Sequence, residues 1–167
     1  MITIRPVRPE EYARAGEVVV AAYEAEDYLR LTDGSYDTRY AAMLADVASR
    51  VAKSDVLVAE LDGELVGSFT WCGHGSPMRE LATRDDQGEF RMLGVDPSAA
   101  GRGVASAMVR WCLERAAQEG LSEVVISSLR EMRPAHRVYE RHGFVRRRDL
   151  DWSPLPGTQL IGFSRTL

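Results

Sequence analysis

Residues 88–108 constrain the fold of this chain more than any other stretch. Their first part, residues 90–95, is apolar and strand-like, and a loop of small residues follows with glycines at Gly101 and Gly103. A helical pattern then runs without interruption to about Glu119. In such a turn the backbone N–H groups converge, no side chain blocks a ligand, and the helix dipole favours negative charge. The sequence therefore predicts an anion site between this strand and this helix.

Length and charge exclude several classes of partner. The chain has 167 residues, and we expect a single domain over residues 1–167. Its net charge of −4 argues against nucleic acid or an anionic membrane as a partner, because either would require a basic surface. No apolar run approaches the ~18 residues of a membrane span, and the N-terminus has no signal-peptide pattern. We therefore expect a cytoplasmic protein.

Apolar periodicity divides the rest of the chain into short strands and helices. Asp62-Gly63 separates two strand patterns and predicts a tight hairpin, since both residues tolerate positive φ. The predicted order is β-α-α-β-β-β-α-β-α-β-β, an antiparallel meander followed by one β-α-β crossover. This order predicts an α+β fold, with a mixed, mostly antiparallel central sheet and flanking helices. The predicted strands are 2–5, 56–61, 64–71, 88–95, 123–128, 144–149 and 160–165, and the predicted helices are 9–23, 38–52, 103–119 and 134–141.

Two nucleotide-binding interpretations of the turn fail. A Walker A loop requires a lysine after its second glycine, and the only lysine in the chain is Lys53. A dinucleotide-binding loop has the pattern Gly-x-Gly-x-x-Gly, but here Gly101 and Gly103 are followed by Ser106. Such a loop also lies in repeated parallel β-α-β units, whereas three antiparallel-type strands precede this turn. The pyrophosphate of an acyl-coenzyme A is the third candidate.

The turn with its strand and helix, together with the segment Ala-His-Arg-Val-Tyr-Glu-Arg-His-Gly-Phe at residues 135–144, resembles the GNAT family of N-acetyltransferases. The predicted order of strands and helices is similar to that fold over essentially the whole chain. The family's loop pattern, Gln/Arg-x-x-Gly-x-Gly/Ala, falls on residues 100–105. Gly103 and Ala105 match it, whereas Ala100 replaces the usual Arg or Gln. Since backbone amides make most of the phosphate contacts, we interpret this departure as weaker contact rather than lost binding.

The resemblance implies that acetyl-CoA is bound as the acyl donor along this strand and turn. Its pyrophosphate would lie on the amides of the turn, and its pantetheine arm would pair with the backbone of Leu93 and Val95. The N–H of Leu93 or Gly94 would then donate to the oxyanion. No metal is implied, because Cys72 and His74 alone do not make a zinc site. The coenzyme-binding residues implied in this way are Leu93, Gly94, Val95, Gly101, Arg102, Gly103, Val104, Ala105 and Ser106.

Two side chains are implied in the chemistry by their places in the family's motifs. Tyr139 lies in the Tyr-x-x-x-Gly-Phe pattern, and a phenol, with an unperturbed pKa of about 10, can donate a proton to the departing thiolate. A purely structural role, as an anchor between helix and sheet, stays open for it. Glu89 precedes Val95 by six residues, as the catalytic glutamate of the histone acetyltransferase branch does. Its carboxylate is the candidate base, directly or through water, and a merely orienting role stays open.

The acceptor would bind opposite the coenzyme, walled by the connection between the first two helices and by the loop at residues 73–87. That connection carries five acids and one arginine between residues 24 and 37, which would attract a cationic amine. Tyr28, Tyr36 and Trp71 are the candidate apolar walls. The implied activity is transfer of an acetyl group from acetyl-CoA to a primary amine by direct attack in a ternary complex. A small amine, an amino acid, an aminoglycoside and a peptide N-terminus all stay open as acceptors.

Two interpretations from other classes stay open as well. One is a catalytically idle module that binds acyl-CoA as a sensor; Ala100 is its only sequence support, and Glu89 and Tyr139 argue against it. The other is an assembly role, in which the terminal strands pair two copies into a homodimer. Dimerisation and catalysis are compatible.

Overall fold

All 167 residues are described by the computed structural model, and one seven-stranded sheet runs through the chain. Its spatial order is β1-β2-β3-β4-β5-β7-β6, and only the β4–β5 pair is parallel. This is the mixed, mostly antiparallel sheet that the sequence predicts. The strands are β1 (Ile2–Pro6), β2 (Asp55–Leu61), β3 (Glu64–Cys72), β4 (Gln87–Val95), β5 (Glu123–Leu129), β6 (Val145–Leu155) and β7 (Thr158–Thr166).

Helices cover both faces of the sheet, which confirms the predicted α+β fold. One face carries the first three helices, because alternate residues of β2 (Val56 and Val58) pack with Ala15 and Val47. The other face carries the last two, whose apolar side chains join the largest core cluster. The longest helix has 15 residues, and none combines the length and apolarity that crossing a membrane requires. The helices are α1 (Tyr12–Ala25), α2 (Thr38–Ala45), α3 (Val47–Val51), α4 (Val104–Gln118) and α5 (Arg133–Arg141).

The predicted hairpin at Asp62-Gly63 is confirmed. Both residues have positive φ, 53° and 88°, as a tight two-residue connection requires. The flanking residues Leu61 and Glu64 are paired in the ladder. This turn fixes the register of β2 on β3, and so fixes which side chains face each layer of helices.

The single helix predicted over residues 38–52 is wrong in one respect, since the chain breaks at Asp46. The Asp46 carboxylate accepts hydrogen bonds from the Ser49 N–H at 3.2 Å and the Ser49 hydroxyl at 2.7 Å. A short acidic side chain that binds the backbone three residues ahead begins a new helix instead of continuing the old one. The break turns α3 away from α2, whose end lies against Gly16 of α1.

The last hairpin is longer than predicted. The sequence predicts strands only over 144–149 and 160–165, but β6 continues through Pro154 to Leu155, and the turn lies at Pro156-Gly157. Pro154 is compatible with this strand because β6 is the edge of the sheet. A proline on an edge strand lacks no ladder hydrogen bond, so the strand tolerates it. The extended hairpin forms one wall of the cavity described below.

Candidate active site

The turn between β4 and α4 has six consecutive backbone N–H groups, those of residues 101–106, that donate no hydrogen bond within the chain. Gly101 and Gly103 have φ of 75° and 83°, and α4 begins at Gly103 without a side-chain cap. Residues 101–103 are exposed. Unpaired amides at the positive end of a 15-residue helix form a site for an anion.

A gap opens in the sheet next to this turn. β4 and β5 pair only through residues 87–89 of β4, so the rest of β4 has no partner on that side. On its other side β4 stays paired with β3, and the register shifts near Met92, whose φ is 54°. Gly94 packs so closely on Val19 of α1 that an added Cβ would lie 3.0 Å from the Val19 Cα. The shifted strand therefore leaves backbone groups of residues 90–95 facing a gap.

Glu89 lies at the inner end of this gap and is 1% exposed. Its Oε1 accepts three backbone hydrogen bonds, from the N–H groups of residues 80, 81 and 82, at 2.9, 2.8 and 3.0 Å. Its Oε2 is buried and has no hydrogen-bond partner. Burial raises the pKa of the Glu89 carboxyl above its ordinary value, and the three N–H donors act against that shift. A buried carboxylate oxygen without a donor is poised to accept a proton or a hydrogen bond.

Alternate side chains of β4 bind the loop that precedes the strand. The side-chain Oε1 of Gln87 accepts hydrogen bonds from the backbone N–H groups of residues 83 and 84, both at 3.0 Å. Arg91 donates to the carbonyl of Met78 at 3.1 Å and pairs with the Glu80 carboxylate at 3.1 Å. With the three bonds to Glu89, these contacts fix the path of residues 78–84 beside the gap. Glu89 therefore has a positioning role in addition to any chemical one.

Tyr139 lies on α5, on the opposite face of the sheet from Glu89. Its ring is 4% exposed and packs edge-on against Phe90, with ring centroids 5.8 Å apart, and against Phe144 and Phe163. Burial raises the pKa of the Tyr139 hydroxyl well above its ordinary value, and the nearby Cys112 and Tyr28 act in the same direction. The phenol therefore stays protonated over the whole neutral range.

Glu89 and Tyr139 are brought to the two sides of one gap. Glu89 and Phe90 are neighbours in β4, so their side chains point to opposite faces, and Phe90 contacts the Tyr139 ring. Since β4 and β5 separate after Glu89, groups bound in the gap could be reached from both faces. This arrangement places a candidate proton acceptor and a candidate proton donor on opposite sides of the same opening.

A cavity of about 740 Å³ lies on the α1–α2 face and includes Glu89 in its lining. Its volume is within the range of small-molecule sites. Four parts of the chain line it: residues 23–43, 80–92, 127–132 and 152–160. Three tyrosines, Tyr23, Tyr28 and Tyr40, form one side, with Tyr23 centred 6.0 Å from each of the other two rings.

Of the three predicted apolar walls, the structure brings only Tyr28 to this cavity. Trp71 is 1% exposed, packs on Trp111 of α4 and donates its indole N–H to Glu119 at 2.7 Å. It therefore faces the other side of the sheet, and its predicted role at the acceptor is corrected. Tyr36 is 41% exposed and donates its hydroxyl to Glu24 at 2.6 Å, outside the cavity lining.

The other predicted coenzyme residues lie together around the turn. Val104, the first residue of α4, is buried and helps to fix the start of the helix, and Ala105 is half-buried. The Ser106 hydroxyl is hydrogen-bonded to the His142 imidazole at 2.5 Å. This bond joins the start of α4 to the end of α5. Arg102 is exposed and lies 3.7 Å from Asp62. The structure thus brings all of residues 93–95 and 101–106 to one edge of the gap and its adjoining turn.

Sequence reasoning missed Arg91, Glu80 and Glu131, which all line the cavity. Arg91 follows Glu89 by two residues on a strand, so alternation alone places it on the same face, and that signal was available. Glu80 and Glu131 lie in connections, where no periodicity indicates a direction. Their place at the cavity follows from the tertiary structure.

The side chains form neither a metal-binding cluster nor an activated thiol. No cluster of three or more His, Cys, Asp or Glu residues is arranged to hold a metal ion. Cys72 and Cys112 are free and buried, and burial raises the pKa of the Cys72 thiol to about 11. A thiol with such a pKa is almost fully protonated at neutral pH and is a poor nucleophile.

The chain is similar to known acetyltransferases over most of its length. The model of the acetyltransferase (GNAT) family matches residues 18–144. Mycothiol acetyltransferase from Cellulomonas flavigena is 34% identical over 118 residues, which cover 66% of this chain and 34% of that protein. N-acetylaspartate synthetase from Homo sapiens is 33% identical over 103 residues, which cover 62% of this chain and 32% of that protein. The chain thus spans about a third of the length of these curated relatives.

Solved structures share the fold across nearly the whole chain. An acetyltransferase of the GNAT family from Staphylococcus aureus Mu50 matches with a TM-score of 0.75 at 11% identity, covering 100% of this chain and 99% of that one. The protein yncA from Salmonella typhimurium, whose structure includes its cofactor acetyl-CoA, matches with a TM-score of 0.68 at 16% identity. That match covers 99% of this chain and 94% of the other.

Proposed function

Because this chain belongs to the acetyltransferase (GNAT) family, we propose that it transfers an acetyl group from acetyl-CoA to a primary amine. The transfer is a direct attack in a ternary complex, and residues 1–167 act as one acetyltransferase domain. The observation that carries the proposal is the row of unpaired amides at residues 101–106, next to a gap with a buried, half-satisfied carboxylate at its inner end.

On the donor side, the backbone does most of the binding. The amides of residues 101–106 hold the pyrophosphate at the start of α4, and Arg102 adds an exposed positive charge. The free edge of β4 binds the pantetheine arm through the backbone of Leu93 and Val95. Glycines at 101 and 103 suit this role, because their positive φ turns successive amides towards one ligand.

On the acceptor side, Glu89 takes the proton that the attacking amine must lose. Its raised pKa makes it a better base than an exposed carboxylate, and its free Oε2 accepts from the amine directly or through one water. The N–H of Leu93 or Gly94 donates to the oxyanion as the amine adds to the thioester carbonyl. These residues lie in the part of β4 where the bulge and the missing β5 partner leave backbone groups free.

Tyr139 supplies the last proton. When the tetrahedral adduct collapses, the C–S bond breaks, the electron pair stays on sulfur, and the phenol donates its proton to that thiolate. Burial raises the pKa of Tyr139, so the phenol still carries its proton at neutral pH when the thiolate forms beside it. The cycle closes when the Tyr139 phenolate takes a proton from solvent and Glu89 releases its own proton to solvent.

The test is a thiol-release assay with acetyl-CoA and a panel of primary amines, run beside calorimetric binding of coenzyme A. We expect amine-dependent thiol release and saturable coenzyme binding. Tight coenzyme binding without turnover for any amine would support the sensor interpretation instead. Loss of coenzyme binding altogether would contradict both, since each depends on the same turn.

A further inference from the structure

The charges in the cavity favour a cation over an anion. Six carboxylates and three arginines line it. Arg30 is paired with Asp27 at 3.0 Å, and Arg91 is paired with Glu80 at 3.1 Å. Arg39 is the only lining arginine without an ion pair. An acceptor with its own carboxylate would meet repulsion here, whereas an ammonium group would be attracted.

Besides Glu89, three lining carboxylates have no ion-pair partner: Asp37, which caps α2, and Glu26 and Glu131 in the outer, solvent-exposed part of the cavity. Glu26 and Glu131 are exposed, and both line the cavity together with Tyr28. The pKa of the Tyr28 hydroxyl is raised by burial first and by the charges of Glu26 and Glu131 next. An aromatic face with carboxylates beside it is an arrangement that binds ammonium groups.

The inner part of the cavity provides a second, independent anionic position. Glu89 is 1% exposed, lines the same cavity, and has an Oε2 without any partner. Glu89 lies in β4, whereas Glu26 lies in the connection after α1 and Glu131 in the connection before α5. The inner and outer anionic positions therefore come from different elements. One cavity therefore presents a buried carboxylate inside and a tyrosine with two carboxylates near solvent.

We propose that the acceptor is a compound with two amino groups, of the diamine type. One amine reacts beside Glu89, and the other stays charged and binds between Tyr28, Glu26 and Glu131. This inference rests on the proposed acetyl transfer, because it assigns a substrate class to the same cavity. It separates this chain from a relative that acts on an acidic amino acid, such as the N-acetylaspartate synthetase it resembles in part.

The experiment compares putrescine with butylamine, which has the same carbon chain and one amine fewer. We expect kcat/KM in the wild type to be about tenfold higher for putrescine, from one cation–aromatic contact and two exposed ion pairs. In the double variant Glu26→Gln/Glu131→Gln the ratio should fall to about twofold or less, mainly through KM. The two amines differ in basicity, but this difference contributes equally to the ratio in the wild type and in the variant. The change in the ratio between the two proteins is therefore free of it.

Glu114→Gln is the matched control, because Glu114 is exposed on α4, outside the cavity lining, and its substitution should leave the ratio unchanged. Equal kcat/KM for the two amines in the wild type, or an unchanged ratio in the double variant, would overturn the inference while acetyl transfer stands. If no amine is turned over, the proposed function fails, and calorimetric binding of putrescine decides the inference. Equal affinity for wild type and double variant, or no binding to either, would then overturn it.

Discussion

The donor half of the site comes from one continuous stretch, residues 87–106, whereas four separated parts of the chain form the acceptor cavity. The donor half uses backbone amides, which any sequence of small residues with two glycines can present. The acceptor half uses side chains that meet only after the sheet and its helices are assembled. The donor half therefore requires a particular sequence only in one short stretch. The ligand of the acceptor half can change through substitutions at positions that are far apart in the sequence.

The largest effect is expected from Glu89→Gln, because Glu89 lies on the donor strand β4 and also lines the acceptor cavity. Glutamine keeps an oxygen for the three N–H groups of residues 80–82 but cannot take a proton. We expect kcat/KM to fall about 100-fold or more at neutral pH, the usual effect of a lost general base. The loss should shrink as pH approaches the pKa of the acceptor ammonium, because the amine then loses its own proton. Thiol release across pH measures both.

The wild type provides the complementary pH profile. Burial raises the pKa of Glu89, so the carboxyl becomes protonated, and the rate falls, at a higher pH than for an exposed glutamate. That acidic fall should be absent in Glu89→Gln. Glu89→Ala is the control for positioning, since it also removes the bonds to the loop. An equal loss in Glu89→Gln at every pH would identify Glu89 as a positioning residue rather than a base.

Tyr139→Phe tests the other face of the gap. Phenylalanine keeps the ring contacts with Phe90 and Phe163, so we expect kcat to fall roughly 10- to 100-fold while coenzyme affinity holds. Because burial raises the pKa of Tyr139 well above its ordinary value, the wild-type rate should show no alkaline fall below about pH 10. Turnover that is unchanged in the variant across the pH range would leave Tyr139 only its packing role.

A smaller effect is expected from Gly103→Ala in the donor turn. The position has φ of 83°, which costs an alanine about 1 kcal/mol, and relaxation of the turn would disperse the amides. We expect the KM for acetyl-CoA to rise about fivefold with little change in kcat. Gly120→Ala is the matched control, since Gly120 has φ of 72° at the far end of α4. If both variants raise this KM equally, the effect is general strain.

The smallest predicted effect is a gain. Ala100→Arg restores the residue type of the family's loop pattern at an exposed position beside the unpaired amides. One added charge near a phosphate should lower the KM for acetyl-CoA about two- to threefold. Ala117→Arg places the same charge at the other end of α4, where it should have no effect on this KM. An equal response to both would indicate only net charge.

Most of the fold and the donor half could be predicted from the sequence, because their determinants are local. The Asp62-Gly63 hairpin and the strand, turn and helix around Gly103 depend on turn geometry and periodicity within a few residues. The exceptions are instructive. Asp46 could have been identified as a helix start, whereas the extension of β6 through Pro154 could not be predicted, because the edge position of β6 depends on the strand order.

The acceptor half could be predicted only in part. Tyr28 and the acidic connection after α1 were found from sequence, and Tyr28 lines the cavity with three of the five acids, Glu26, Asp27 and Asp37, whereas Glu24 and Asp33 do not. Trp71 was misplaced because residues 66–72 of β3 are buried on both faces, so alternation of polarity does not show which way a side chain points. Glu131 was missed because its approach to Tyr28 joins parts of the chain about a hundred residues apart.

The way β4 binds the preceding loop has a consequence for changing this protein. Within the loop, Gln87 and Glu89 bind backbone N–H groups of residues 80–84, and Arg91 binds the backbone carbonyl of Met78 as well as the Glu80 carboxylate. Most of the loop's own side chains are therefore not needed to fix its path. The exposed side chains of Thr83 and Arg84 can be replaced, by selection or by design, while the strand beneath keeps the loop in place; the buried Ala82 requires a small side chain. Glu80, the one residue of this loop that lines the acceptor cavity, is a position at which acceptor choice can change without disturbing the donor half.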